Sequence, residues 1–577
     1  MKQLLFIIAI LSLNIAVAQN KSVPRLENKN GSVQLIVNNQ SFLMFSGELH
    51  NSSAGSAHNM RSIWSRMAKQ NLNTVIAPVS WELIEAKEGV FDFSLVDSMI
   101  VGARKENLKL VIIWFASWKN GTSTYVPEWV KTDTKRFLLV KDKNGKTKNI
   151  LSTLGENTLK ADARAFAELM KYIRKIDADD QTVVMVQVEN EIGVLDYMAS
   201  YGNMPNIWYR DFSDKANQAF NGQVPAELIN YLEKNKEKLY PALKKVWADN
   251  GFKKNGTWEE VFGKGTKYEG EDWKSNFSFY TEELFMAWNY AKYVGEIAKQ
   301  GKAQYALPMY ANAWLKQDKG RAPGQYPSGG PLPQVIDVWR AAAPSIDFIA
   351  PDIYIVEEFD WVCDEFTRSG NPLFIPETKV GPAGAARAFY AFGKYNAIGY
   401  APFGIDGGGL MLSANPDDHS IEKVYGCLKN LEPIIQKYKG SDRMAGLFID
   451  DKKRSDKIEL GDYTVSLRRN SLSASFGLVG VQVKEEVKED DVAAGLIVFK
   501  LADNEFLVAG GIGSSLINVT KGNSNKWGNI GYASVDEISY ENGVMKSHRL
   551  NGDETAFGGP VIKPGQVKIF KIKMYGY

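Results

Sequence analysis

The chain has 577 residues, 69 of them Lys or Arg and 67 Asp or Glu, and 44% are hydrophobic. That length is too great for one hydrophobic core, so two or three domains are expected. The near-balance of charge leaves no field to attract nucleic acid or an acidic membrane surface. Four histidines (His50, His58, His419, His548) show no metal-ligand spacing, so neither a metal nor any other cofactor is expected. The two cysteines, Cys363 and Cys427, fall in helical patterns, which argues against a disulfide.

Residues 1–18 read as an export signal. Lys2 gives the positive start, residues 4–17 an apolar core, and Ala16-Val17-Ala18 a small-residue cleavage site. The core is too short to span a membrane. The mature chain is therefore expected to begin at Gln19, to reach the periplasm or the extracellular space, and to have no membrane association after cleavage.

From about residue 30 to 440, short apolar runs alternate with helical patterns. The strand candidates are 42–48, 73–79, 108–115, 182–189, 306–310, 347–354, 372–377 and 397–403. Helical patterns lie at 62–70, 94–107, 162–177, 287–300, 333–342, 359–366 and 421–438. Near-continuous apolar strands are buried on both faces, as in a parallel sheet covered by helices. Eight such units predict an α/β fold, a (βα)8 TIM barrel over residues 19–440. An open doubly wound sheet is the alternative, but no Gly-rich phosphate loop accompanies the pattern. One connection, at about 192–305, is oversized. It carries Tyr197, Tyr201, Trp208, Tyr209 and Phe212, then a charged helical pattern over 227–250. Loops after barrel strands sit on the catalytic face, so this insertion is expected to wall one side of the site. After 440 the pattern changes to period two, at 457–469, 495–511 and 566–575, with a hairpin signal at Asn542-Gly543. Residues 441–577 are expected to form an antiparallel β-sandwich-like accessory domain.

Two glutamates close buried strands. Glu191 ends strand four, in MVQVENEIG, and Glu377 ends strand seven, in NPLFIPETKVG. A retaining glycosidase needs one carboxyl to protonate the leaving oxygen and one to attack the sugar, roughly 5 Å apart. Glu191 suits the acid/base. Asn190 beside it suits a bond to the sugar 2-OH, which strengthens in the oxocarbenium-like transition state. Glu189 points the same way as Glu191 in an ideal strand, so alternation alone does not choose between them. Its position deeper in the barrel favours a structural, hydrogen-bonded role. Glu377 suits the nucleophile, with Tyr354 or Asp352 of strand six to orient it. Glu48, His50 and Asn51, after strand one, suit sugar hydroxyls. Trp118, after strand three, is the candidate stacking ring.

These motifs together resemble the glycoside hydrolase family 35 β-galactosidases over roughly residues 40–410, in a bacterial subgroup with a β-rich C-terminal domain. The resemblance rests on GELH, NTVIAPVSWELIEAKEGVFDF, VQVENEIG and the Glu after strand seven. It implies a (βα)8 barrel, retention of configuration, Glu191 as acid/base, Asn190 on the 2-OH, Glu377 as nucleophile, and release of terminal β-galactose from plant-type side chains. The chain departs from that family at Asn51 (usually Tyr), at Ser117 (usually a Glu contacting the galactose ring) and around Glu377. A retaining β-glycosidase for another sugar and a non-catalytic glycan-binding barrel are the competing readings.

Overall fold

The computed structural model describes residues 22–196, 208–265, 281–316, 321–407, 414–470, 493–541, 543–550, 552, 555 and 558–577. Residues 1–18, read above as an export signal, lie outside the described residues. Among the described residues no helix is long and apolar enough to cross a membrane.

All eight expected barrel strands form. They are β1 (Met44–Glu48), β2 (Thr74–Ser80), β3 (Lys109–Lys119), β4 (Val183–Asn190), β5 (Met309–Trp314) and β6 (Phe348–Ile353), followed by β7 and β8. Pro376 splits β7 into Phe374–Ile375 and Glu377–Thr378, since proline has no N–H for the ladder. The first piece pairs with β8 (Gly399–Tyr400) and the second with β6. β8 pairs in turn with β1, so the parallel sheet closes on itself as a barrel. Strand five starts later than its apolar run suggests, because residues 306–308 enter the barrel as loop.

Helices surround the sheet. Glu156–Asp177 packs on Thr281–Gln304, and the latter on Ile336–Ala342. Three features were not legible in the pattern. A three-stranded antiparallel sheet (Arg25–Lys29, Ser32–Val37, Gln40–Phe42) precedes the barrel. It inserts Leu35 and Val37 among Met44, Val111, Tyr310 and Phe348, at the starts of the strands, and so closes the end opposite the carboxyl termini. The charged segment 227–250 is broken into Ala226–Lys234 and Pro241–Asp249, with Pro241 opening the second helix. The helix Pro382–Tyr395 escapes the pattern because residues 383–393 are all buried, which leaves no polar face among them.

The C-terminal region is antiparallel throughout, a six-stranded and a four-stranded sheet. Their facing side chains, including Leu447, Val465, Leu496, Val519 and Phe570, form a separate core. Ile530–Glu541 and Val544–Leu550 pair as a hairpin closed by Glu541 and Val544. Its Asn542 lies outside the described residues. The other face of the six-stranded sheet is applied to the barrel, with Ile497, Phe499, Ile538 and Ile569 joining the barrel's outer core. Cys363 and Cys427 are free thiols, both buried.

Candidate active site

The carboxyl ends of the strands gather four acids. One carboxylate oxygen from each of Glu191, Asp352 and Glu377 lies within 4.8 Å of the other two. Glu48, facing inward from β1, feels the charges of both Glu377 and Glu191. Glu191 and Glu377 are each 6% exposed, and Glu48 and Asp352 each 1%.

The end of β4 is irregular, and that decides which glutamate faces the pocket. Glu189 and Glu191 both have left-handed backbones, with φ of 63° and 45°. Such values are uncommon for non-glycine residues. Opposite them β3 bulges: Trp114 pairs with Val188 and Lys119 with Asn190, leaving residues 115–118 against Glu189 alone. The Glu189 carboxylate fills this gap, accepting from the N–H groups of Ser117 at 3.0 Å and Trp118 at 2.8 Å. Burial, then the neighbouring Asp162, raises its pKa well above the carboxylate range. Glu189 thus binds strand to strand, while Glu191 turns toward Glu377.

Burial pushes the Glu191 carboxyl up to about 8, the Glu377 charge adds to this, and Lys119 opposes it. Glu377 is also raised by burial, but Lys119 and a hydrogen bond from Tyr354 pull it back. The Tyr354 hydroxyl donates to Glu377 Oε2 at 2.9 Å. Burial, then the charges of Glu377, Glu191 and Glu48, raise the Asp352 carboxyl well above its ordinary value. The result is one carboxyl that keeps its proton near neutral pH beside one better able to ionise.

Asn190 is fixed on both sides. Its Oδ1 accepts from Gln187 Nε2 at 2.8 Å and Asn312 Nδ2 at 3.2 Å, and its Nδ2 donates to Asn120 Oδ1 at 3.1 Å. Lys119 Nζ donates to the same Asn120 oxygen at 2.7 Å. By type, Glu191, Asp352 and Glu377 could also ligate a hard cation. The Tyr354 and Asn312 donors are directed at carboxylate oxygens of this same trio.

His50 and Asn51 lie beside the mouth. His50 Nδ1 is 3.1 Å from Asp406 Oδ1, and Ser53 Oγ donates to Asp406 Oδ2 at 2.5 Å. A cavity of about 660 Å³ opens there, lined by His50, Asn51, Ser53, His58, Arg66 and Asp406.

Trp118 requires correction. It is fully buried, donates to the Leu151 carbonyl at 3.0 Å, and packs edge-on against Tyr290 and Tyr293. The β3 bulge turns it into the layer between sheet and helices, where no sugar reaches it. Ser117, two residues before Lys119, likewise faces Asp162 at 2.5 Å and Tyr293 at 2.9 Å. Of the insertion's rings, Trp208 is buried with Lys148 over its face at 5.4 Å. Tyr197 and Tyr201 lie outside the described residues. The pattern missed Asn312, Lys119, Asn120 and Asp406. An amide within the otherwise apolar YANAW was the available signal for Asn312.

Residues 51–223 match the family model described as β-galactosidase, that of glycoside hydrolase family 42. Residues 421–561 match the model of a domain of unknown function, DUF5597. No curated relative matches the sequence. Among solved structures, the catalytic domain of β-amylase from Paenibacillus polymyxa is similar at 14% identity and TM-score 0.45, over 66% of this chain and 96% of that one. The β-galactosidase from Bacillus circulans sp. alkalophilus is similar at 15% identity and TM-score 0.43. That from Rahnella sp. R3 is similar at 14% and 0.43. The chain aligns over 68% of its length with each, spanning 57% of theirs. The family 35 resemblance is thereby corrected, since the matching model is that of family 42. Over residues 51–223, less than half of the chain, the sequence is similar to the β-galactosidases of that family model.

Proposed function

We propose that the protein is an exported retaining β-glycosidase that releases terminal β-galactose from plant-type oligo- or polysaccharide side chains. The observation that carries this is the carboxyl pair, with oxygens of Glu191 and Glu377 within 4.8 Å. Retaining enzymes hold their carboxyls ~5–5.5 Å apart, whereas inverting ones leave ~6.5–9.5 Å for a water. In the first step Glu377 attacks the anomeric carbon while Glu191 gives its proton to the departing oxygen. In the second, Glu191 takes a proton from water, the oxygen attacks the anomeric carbon, and the ester to Glu377 breaks. Asn190 stands beside the acid for the 2-OH, and Tyr354 holds the nucleophile. Glu48 offers a buried oxygen, Oε2, without a hydrogen-bond partner, suited to a sugar hydroxyl. His50 and Asn51, which follow Glu48 in the chain, line a cavity whose lining includes none of the four acids.

Galactose is supported by the β-galactosidase description of the matching model. The second reading is a retaining β-glycosidase for another sugar, since the matching model covers residues 51–223 alone. A panel of nitrophenyl β-glycosides tests both. The expected result is a kcat/KM for the β-galactoside roughly a hundredfold above the β-glucoside, because two unpaired buried partners cost ~1–3 kcal/mol each. A β-glucoside or β-xyloside turned over as well as the β-galactoside refutes galactose. An NMR time course in which α-sugar appears first refutes retention. Export rests on residues 1–18 alone, and fractionation of the expressing cell tests it.

A further inference from the structure

The backbone N–H of Glu191 and the carboxylate of Glu377 meet at one amide that the steps above do not use. Asn312 lies on β5, 1% exposed, in register with Ala350 of β6. Its Oδ1 accepts from the backbone N–H of Glu191 at 2.9 Å. Its Nδ2 donates to Asp352 Oδ2 at 2.8 Å, and lies 3.2 Å from Asn190 Oδ1 and 3.4 Å from Glu377 Oε1. The chemistry of the neighbours fixes which end of the amide is which: only oxygen accepts from the Glu191 N–H, and only nitrogen donates to a carboxylate.

The backbone explains why a side chain is needed there. The β4–β5 ladder pairs Met309 with Val186 and Tyr310 with Gln187, and stops. Beyond it Glu191 adopts its left-handed conformation, so its N–H has lost a ladder acceptor. The Asn312 carbonyl replaces that acceptor. Its two N–H bonds are then shared among three oxygens belonging to Asp352, Asn190 and Glu377.

We propose that Asn312 is the positioning residue that couples the acid/base to the nucleophile. It anchors the strained backbone of Glu191 through its oxygen and steadies Glu377, Asp352 and Asn190 through its nitrogen. The inference rests on Glu191 and Glu377 being the catalytic pair. During turnover Glu377 alternates between carboxylate and ester. The shared N–H follows that charge, moving toward Asp352 and Asn190 when Glu377 is esterified. The anchor on Glu191 stays in place as that residue changes from acid to base.

The test uses the full chain and whichever nitrophenyl β-glycoside the wild type hydrolyses fastest. Asn312→Asp is isosteric. It keeps an oxygen for the Glu191 N–H but replaces the donors with another acid. The acidic limb of its kcat/KM profile should rise by about one pH unit or more. Its kcat should fall on the order of a hundredfold, with KM little changed. Asn312→Ala should lose a similar factor in kcat with a smaller upward move of the limb, since it adds no charge. A merely structural role predicts lower melting temperatures in both variants but a wild-type kcat and pH profile for the folded enzyme, and that result overturns the proposal. Failure of the underlying reading looks different: Glu377→Gln then keeps wild-type turnover.

Discussion

Glu191 and Glu377 are similarly buried, yet their surroundings hold their protons differently. Burial holds the Glu191 carboxyl at about 8, so it keeps its proton at pH 7 and can donate it. The basic limb of kcat/KM should therefore fall away as pH rises through about 8, and a pH–rate profile reads this directly. The same shift acts on stability. Between the ordinary 4.5 and about 8 the folded protein holds a proton that the unfolded chain has released, so stability falls as pH rises across that window. Melting curves from pH 5 to 8.5 should show this decline, and Glu191→Gln should make it shallower, leaving the part due to other buried carboxyls such as Glu283, raised to about 7. Glu377→Gln should abolish turnover, because nothing replaces the nucleophile. Glu191→Ala should lose about 10²–10⁴-fold on poor leaving groups but keep the first step on nitrophenyl substrates, with azide rescuing it as the β-glycosyl azide. Isolation of an α-glycosyl azide would count against that assignment.

At the scale of elements, the bulge in β3 shapes the site. It sets Lys119 near the carboxyls, draws Glu189 into the gap, and sends Ser117 and Trp118 outward. Period-two alternation predicts none of this, since residues 115–118 oppose a single residue of β4. Trp118→Ala should consequently behave as a core truncation, costing about 3–5 kcal/mol. Denaturant unfolding should register that loss while KM of the folded fraction stays near wild type. A raised KM with unchanged stability would return Trp118 to the sugar pocket.

Across the whole molecule, the two regions meet backbone to backbone. A Cβ at Gly495 would lie 2.0 Å from the Ala386 carbonyl, one at Gly393 2.7 Å from the Ala445 carbonyl, and one at Gly446 2.7 Å from the Lys394 nitrogen. These glycines let helix Pro382–Tyr395, which follows β7, lie directly on the six-stranded sheet. Gly495→Val should force the surfaces apart. We expect a lower melting temperature and lower activity together, because the same helix follows the strand that carries Glu377. Loss of stability with kcat untouched would show that the accessory region is not coupled to the barrel mouth.

The sequence by itself determined the barrel and the candidate pair. Eight buried apolar runs alternating with helical patterns have few other ways to bury both faces, and Glu191 and Glu377 stand at strand ends where polar residues need a reason. The change to period two after residue 440 likewise announced the antiparallel region. Only the tertiary structure decided the rest. The roles of Glu189 and Trp118 turned on a bulge and two left-handed residues, which no pattern encodes. The N-terminal sheet was hidden because its short strands matter only as a plug for the barrel. Asn312 emerged as a hub only once β4, β5, β6 and β7 brought four polar groups, distant in sequence, within hydrogen-bond reach. The resemblance in VQVENEIG pointed to family 35, whereas the matching model is that of family 42, since a short motif at one strand end carries little record of which family holds it.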